Sequence, residues 1–176
     1  YEKSGVVRDM IQNHVFQVLS LVAMEPPASL SAEDVRDEKI KAMHSAREFT
    51  PERVASECVR GQYGAGSIGG AAVPGYREEK GVAKDSVTET FAMVTMWFDN
   101  WRWSGVPFYV RSGKRLAKRV TEIAIQFRAA PHALFGKEQE ELAPNQLVIR
   151  IQPDEGITLR VAAKVPGQAT RIRDVN

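Results

Sequence analysis

The apolar run Val15–Met24 most constrains how this chain can fold, because a run of that length must pack against other parts of a protein. Apolar residues recur at three- and four-residue intervals from Val7 onward, which predicts a helix over Val6–Met24. Pro26-Pro27 ends this helix, since proline cannot continue it. Its second half is apolar nearly all round, so we expect it to be buried on most sides.

Polar side chains cluster immediately before that run, in the segment Arg8-Asp9-Met10-Ile11-Gln12-Asn13-His14. Burying such groups costs several kcal/mol unless each finds a partner, so we expect the cluster to hold a polar ligand and move a proton. Asp9 fits the helix N-cap, with Gln12 at the capping-box position. On an α-helical wheel Asp9 and His14 lie about 140° apart, so they share a face only if Asp9 is a cap or the ligand is large. The alternative is that His14 is an ordinary core histidine.

Composition excludes several classes of protein and of site. The chain has 176 residues, about the length of one domain. Its net charge of +2 gives no reason to expect that it binds nucleic acid. Cys58 is the only cysteine and the three histidines are far apart, so we expect neither a disulfide nor a metal site. The longest apolar run is too short to span a membrane, and no signal peptide is evident. Because the chain starts at Tyr1 rather than Met, we expect a piece of a longer protein.

The remaining pattern predicts a second helix followed by strands. Ser31-Ala32-Glu33-Asp34 is a capping signature that opens a charged helix to about Arg47. Val54–Tyr63 is predicted to be a strand, and Thr88–Asn100 to be a strand or a helix. Period-two alternation predicts four further strands, at Pro107–Arg111, Thr121–Arg128, Gln146–Ile151 and Ile157–Lys164. Helices followed by strands indicate an α+β fold with a large, mostly antiparallel sheet.

A glycine motif in the middle of the chain imitates a dinucleotide-binding fingerprint. Gly64-Ala65-Gly66-Ser67-Ile68-Gly69 matches G-x-G-x-x-G, which binds a pyrophosphate only between a strand and the start of a helix. The continuation to Val73-Pro74-Gly75 cannot open a helix. We therefore interpret Gly64–Gly75 as a glycine-rich connecting loop.

Two further groups of candidate ligand-binding residues follow predicted strands. Arg111-Ser112-Gly113-Lys114 is one, with Arg119 shortly after it, and Arg150-Ile151-Gln152 is the other. Gly113 is predicted to let a ligand approach the backbone beside Lys114. Together with the polar cluster, these residues suggest an anionic ligand between a helix start and strand ends. The alternative is that the basic side chains are merely solvated.

The polar cluster is the first of several ordered segments that together carry a family resemblance. The others are Leu21-Val22-Ala23-Met24-Glu25-Pro26-Pro27, Arg60-Gly61-Gln62-Tyr63, Val73-Pro74-Gly75-Tyr76-Arg77-Glu78-Glu79, Thr88-Glu89-Thr90-Phe91, Asp99-Asn100-Trp101-Arg102-Trp103-Ser104-Gly105-Val106-Pro107-Phe108-Tyr109 and Arg150-Ile151-Gln152-Pro153-Asp154-Glu155. From Tyr1 to about Gly167 the chain closely resembles the glucose-6-phosphate dehydrogenase family.

The resemblance implies a role for each candidate residue. His14 matches the family's general base, which takes the proton of the C1 hydroxyl of glucose 6-phosphate; imidazole suits this, with a reference pKa of about 6.5. Asp9 matches a sugar-binding carboxylate, and Lys114, Arg119 and Gln152 match substrate contacts. As the proton leaves, the C1 hydride passes to NADP⁺, which gives 6-phosphogluconolactone. The implied protein is an NADP-dependent oxidoreductase of the pentose phosphate pathway.

Two parts of the family pattern are not found in this sequence: the N-terminal Rossmann domain and the R-I-D-H-Y-L-G-K motif. We therefore expect residues 1–176 to be the C-terminal substrate and dimerisation domain, truncated at both ends and inactive alone. NADP is expected to bind mainly to the N-terminal domain, with no cofactor-binding residue in this chain. A second, structural NADP⁺ is not expected, because Val120 and Ala124 occupy positions that are basic in mammalian members.

Two alternatives remain open at this point: a non-catalytic phosphosugar-binding or assembly module, and a structural dimerisation domain. The resemblance further implies a homodimer or higher homo-oligomer formed through the sheet, in the cytoplasm, with neither nucleic acid nor membrane as a partner.

Overall fold

A computed structural model describes residues 1–129, 144–164 and 172–175 of the chain. The chain folds into two compact units, Tyr1–Ala117 and Lys118–Asn176. The first contains helices and short antiparallel strands, and the second contains a separate antiparallel sheet. This architecture confirms the predicted α+β class.

The first helix has two parts of different geometry. A π-helix covers Val7–Val15, in which the backbone N–H of Phe16 bonds to the carbonyl of Ile11, and an α-helix, α1, continues over Phe16–Ala23. The indole N–H of Trp103 donates to the Ala23 carbonyl at 3.0 Å and satisfies one carbonyl at the helix end. The predicted helix is confirmed, but its first half has wider turns than the expected α-helix.

Burial along this helix corrects two expectations. Val6, Ile11, Leu19 and Ala23 are buried and form the face that packs on the core. Leu21 is 50% exposed, so α1 is not buried on most sides. The polar cluster of residues 8–14 lies mostly on the exposed side of the helix, so its side chains do not need the buried partners that we expected.

Two further helices precede the strands. Helix α2 covers Ala32–His44, and the Ser31 hydroxyl accepts a bond from the Asp34 amide at 3.1 Å, as its capping signature predicted. Helix α3 covers Pro51–Glu57. The strand prediction for 54–63 is therefore wrong over its first half, because Thr50 caps a helix that has proline at its first position.

The central sheet of the first unit is formed by three antiparallel strands in the order β1-β4-β5. They cover Cys58–Gly61 (β1), Phe91–Met96 (β4) and Phe108–Gly113 (β5). The buried residues of β4 and β5 join those of the first helix in one hydrophobic core. Phe108 packs edge-to-face on Phe98 and Trp103, with ring centroids 4.8 and 4.9 Å away.

The glycine-rich segment is a short β-hairpin rather than a loop. Strands Gly66–Ile68 (β2) and Ala71–Val73 (β3) pair antiparallel across Gly69 and Gly70. Both glycines have positive φ, +58° and +84°, which is what a two-residue hairpin turn with two left-handed positions requires. A short 3₁₀-helix, Tyr76–Glu78, follows.

The second unit contains a four-stranded antiparallel sheet in the order β6-β7-β8-β9. Its strands are Thr121–Gln126 (β6), Gln146–Gln152 (β7), Gly156–Lys164 (β8) and Ile172–Val175 (β9). The first three confirm the period-two predictions. Across the described ranges of the chain, no helix has the length and apolar character needed to cross a membrane.

Candidate functional site

The π-helix changes the relation between Asp9 and His14. Asp9 lies in its first turn and His14 in its last, so the N-cap expectation for Asp9 is wrong. The two residues are five positions apart, which is the hydrogen-bonding interval between successive turns of a π-helix. They therefore lie on nearly one side of the helix, which the α-helical wheel did not predict. Asp9 is half-buried and His14 is exposed.

Glu89 holds the start of this helix. Its carbonyl accepts from the Val6 amide at 3.1 Å, and its carboxylate accepts from the Val7 amide at 3.4 Å. These are two of the N–H groups that the helix cannot satisfy internally. The negative charge of the carboxylate also interacts favourably with the positive end of the helix dipole. Gly5 has φ +67°, and a Cβ on it would lie 2.3 Å from the Glu89 carboxylate. The segment before β4 thus fixes where the helix carrying Asp9 and His14 begins.

Lys114 comes directly after β5, the strand on which the π-helix packs. Its backbone N–H donates to the carbonyl of Thr90 at 2.8 Å. Thr90 is fully buried, and its hydroxyl accepts from the Tyr63 amide at 3.0 Å. The neighbours Glu89 and Thr90 therefore connect the site helix to the backbone of Lys114.

The Tyr1 ring contacts the side chain of Lys114. The Lys114 ammonium lies 4.0 Å from the centre of the Tyr1 ring, a cation–π contact. The Tyr1 hydroxyl donates to the Glu89 carbonyl at 3.2 Å. Burial, followed by the negative charges of Glu89 and Asp9, raises the pKa of Tyr1 to about 12, so its phenol stays protonated. The Tyr1 ring therefore contacts the Lys114 ammonium and is also within electrostatic reach of the Asp9 carboxylate.

The residue after Lys114 has a backbone conformation that residues other than glycine rarely adopt. Arg115 has φ +54°, and its guanidinium forms a 2.5 Å ion pair with Glu79. The Tyr63 hydroxyl donates to the same carboxylate at 2.7 Å. The hydrogen bonds from Arg115 and then Tyr63 lower the pKa of Glu79 below its usual value. This ion pair holds the turn in which Lys114 lies.

Gly113 does not have the role that its position suggested. A Cβ there would lie 2.8 Å from the Phe91 ring and 3.3 Å from Leu116. Glycine at this position makes room for Phe91 within the unit, so the expectation of a ligand approaching the backbone is wrong.

The other two predicted contacts, Arg119 and Gln152, belong to the second unit. Gln152 ends β7 and is paired in register with Thr121, the first residue of β6. Arg119 precedes Thr121 by two residues, so both candidates lie at the same end of the β6–β7 pair. Both are exposed. Asp9, His14 and Lys114 thus belong to one unit, and Arg119 and Gln152 to the other.

Tyr1, Glu79 and Glu89 were missed by the sequence reasoning. Glu79 and Glu89 fall in segments that carry the family resemblance, but nothing there assigns them a role. The contacts of Tyr1 and Glu89 join residues more than eighty positions apart, so no local pattern contains them. The one available signal was a glycine, Gly5, at the start of a helix, where it marks a close approach.

The G-x-G-x-x-G segment does not fit a dinucleotide, and the described residues form no group suited to a metal ion. The G-x-G-x-x-G segment forms the β2–β3 hairpin, so it lacks the helix N-terminus that would receive a pyrophosphate. Within the described ranges no three His, Cys, Asp or Glu side chains cluster in a way that suits a metal ion. What the site contains is a carboxylate, an imidazole and an ammonium, which suit a hydroxylated, anionic ligand and a proton transfer.

Comparison with known proteins gives consistent results. The family model described as "Glucose-6-phosphate dehydrogenase, C-terminal domain" matches residues 1–176. The glucose-6-phosphate 1-dehydrogenase of Aggregatibacter actinomycetemcomitans is 51% identical over 176 residues, which are all of this chain and 35% of that protein. The enzyme of the same name from Bacillus subtilis (strain 168) is 48% identical over 175 residues, 99% of this chain and 36% of its own length.

Solved structures show the same relationship. A glucose-6-phosphate dehydrogenase in complex with its substrate glucose-6-phosphate matches with a TM-score of 0.86 and 39% identity, over 99% of this chain and 34% of its own. The glucose-6-phosphate 1-dehydrogenase from Mycobacterium avium matches with a TM-score of 0.81 and 40% identity, over 99% of this chain and 35% of its own. The chain thus spans about a third of the length of these relatives. It belongs to the glucose-6-phosphate dehydrogenase C-terminal domain family.

Proposed function

We propose that this chain is the substrate-binding part of an enzyme that oxidises D-glucose 6-phosphate at C1 with NADP⁺. The observation that carries the proposal is that Asp9 and His14 lie on nearly one side of the π-helix, which packs on β5, the strand that leads directly into Lys114. A relative of 39% identity has been solved with glucose 6-phosphate bound, which supports this choice of sugar.

In the proposed reaction His14 is the general base. It accepts the proton of the C1 hydroxyl while the C1–H bond breaks and its electron pair leaves as a hydride to C4 of the nicotinamide. The C1–O bond becomes the carbonyl of 6-phosphogluconolactone, and NADPH is formed. Asp9 accepts hydrogen bonds from sugar hydroxyls, and Lys114 binds and orients the substrate. A general base of this kind contributes about 10²–10⁴ in rate.

Arg119 and Gln152 are proposed as further substrate contacts. Both side chains are exposed at the same end of the β6–β7 pair. One is a guanidinium and the other an amide, and both can donate hydrogen bonds to an anionic ligand, which supports this role.

NADP⁺ is proposed to be bound mainly by residues outside this chain, because the chain's one dinucleotide-like glycine motif forms a hairpin with no helix N-terminus. On this proposal the 176-residue chain alone contributes the base and the sugar contacts, and is inactive without a nucleotide-binding domain. The proposed location of the complete enzyme is the cytoplasm.

A homodimer or higher homo-oligomer formed through the sheet is proposed as the working assembly. Ile157 and Leu159 of β8 support it, since they share one face of the strand and are 74% and 50% exposed. Sedimentation of the complete protein tests this: a monomer at all concentrations would contradict it.

Turnover tests the proposed activity directly. The complete protein that contains this chain, mixed with glucose 6-phosphate and NADP⁺, is expected to produce the absorbance of NADPH, and the chain alone is expected to produce none. Turnover by the chain alone would contradict the proposal that NADP⁺ is bound mainly by residues outside this chain. If the complete protein bound the sugar but did not reduce NADP⁺, the non-catalytic phosphosugar-binding module would be the better account.

A further inference from the structure

Lys114 is an exposed lysine whose ammonium nevertheless has a defined position. Its Nζ lies 4.0 Å from the centre of the Tyr1 ring. A solvated lysine side chain samples many rotamers, and fixing it costs entropy whenever a ligand binds to it. The face of an aromatic ring attracts a cation and favours the rotamers that keep the ammonium above it. Tyr1 therefore reduces the freedom that Lys114 would lose on binding.

The Tyr1 ring is itself fixed on two sides. Its hydroxyl donates to the Glu89 carbonyl, and its ring packs edge-to-face on Tyr76 with centroids 6.3 Å apart. Tyr76 is only 5% exposed, and its hydroxyl donates to the Glu2 carboxylate. A ring fixed in this way can restrain the ammonium above it, whereas a mobile ring would follow the lysine side chain as it moves.

The backbone of Lys114 is fixed as well. Its N–H is bonded to the Thr90 carbonyl, and the next residue, Arg115, is paired with Glu79. The side chain is therefore restrained at both ends, at the backbone and at the ammonium.

We propose that Tyr1 is a positioning residue that holds the Lys114 ammonium over its ring face, ready to contact an anionic sugar. The inference rests on the proposed role of Lys114 in binding glucose 6-phosphate and extends it to a residue that does not touch the substrate. Its expected effect is on substrate binding, because the contact is present before the substrate arrives and does not change during the chemical step.

Paired substitutions in the complete protein separate positioning from a structural role. Tyr1→Leu removes the ring face and is expected to raise KM for glucose 6-phosphate about 3- to 10-fold, with kcat within about twofold. Tyr1→Phe keeps the ring face but loses the hydrogen bond to the Glu89 carbonyl, so it is expected to raise KM less than Tyr1→Leu does. A merely structural role would lower kcat per enzyme or the yield of folded protein, and leave KM unchanged.

A double-substitution cycle tests whether Tyr1 acts through Lys114. In a Lys114→Met background, Tyr1→Leu is expected to raise KM no further, because the cation that it positioned is gone. If the two effects on KM multiplied, Tyr1 would act independently and the proposal would be overturned. If Lys114→Met left KM unchanged, the substrate role of Lys114 would fail and the positioning role with it. If Lys114→Met raised KM and Tyr1→Leu did not, only the positioning role would fail.

A measurement without substrate tests the contact itself. Reductive methylation with ¹³C keeps the lysine charge, and the signal of Lys114 is assigned by its loss in Lys114→Arg. An ammonium above a ring face is shifted upfield by the ring current, so the shift is expected in the parent and in Tyr1→Phe, and lost in Tyr1→Leu. An unshifted signal in the parent would overturn the proposal, whatever the kinetics.

Discussion

The Glu89 carboxylate occupies the space next to Gly5 that any side chain at residue 5 would need, since a Cβ there would lie 2.3 Å from the carboxylate oxygen. Gly5→Ala is therefore expected to lower the free energy of unfolding by about 1–3 kcal/mol, through this overlap and through the positive φ. Urea denaturation measures the change. In a Glu89→Ala background the same substitution is expected to cost less, because only the backbone strain remains; an equal cost in both backgrounds would contradict the overlap.

Arg115 provides a test of backbone strain beside Lys114. Arg115→Ala removes the ion pair with Glu79 but keeps a Cβ at φ +54°, whereas Arg115→Gly removes both. The glycine variant is expected to be the more stable of the two by about 1 kcal/mol, because a left-handed position costs a residue with a Cβ roughly 1–2 kcal/mol. Melting temperatures compare them. An alanine variant as stable as the glycine variant would show that the turn is unstrained.

Glu79 is expected to contribute to acid sensitivity. Hydrogen bonds from Arg115 and then Tyr63 lower the pKa of its carboxyl in the folded protein below the ordinary value of 4.5. The stabilisation is therefore fully present above pH 4.5 and is lost as the pH falls from there through the lowered folded-state pKa. Glu79→Gln is expected to lose less stability than the parent over that acidic range. Urea midpoints measured across the range, with the exposed Glu48→Gln as control, test this; parallel curves for parent and Glu79→Gln would contradict it.

The glycine motif gives a prediction about the nucleotide. A Cβ on Gly64 or Gly66 meets no atom within 4 Å, and the segment is a hairpin. Gly66→Ala in the complete protein is therefore expected to leave KM for NADP⁺ within about twofold of the parent, as a residue away from the pyrophosphate should. A large rise in KM for NADP⁺, with KM for the sugar unchanged, would show that the hairpin binds nucleotide after all.

Patterns with strong local causes were predicted correctly from the sequence. The Ser31 cap, the alternating strands β6 to β8 and the proline stop after α1 each depend on neighbouring residues. The errors arose where another local rule or a distant contact decided the structure. Thr50-Pro51 opened a helix where strand formers followed, and Phe91 filled the space beside Gly113.

The candidate site shows the same division. Asp9, His14 and Lys114 could be singled out by residue type and by their family resemblance. Their geometry could not, because the α-helical wheel separates Asp9 from His14 and only the π-helix brings them to one side. Tyr1 and Glu89 could not be singled out from local sequence patterns, because their contacts join residues more than eighty positions apart.

The central claim is that His14 removes the C1 proton, and a paired substitution in the complete protein tests it most directly. His14→Asn is expected to lower kcat by about 10²–10⁴ and to leave KM for glucose 6-phosphate within a few-fold, because the base acts in the chemical step. The matched control is His44→Asn, on α2, which is expected to leave both constants unchanged. A variant at His14 that raised KM and kept kcat would contradict the account and mark His14 as a binding residue.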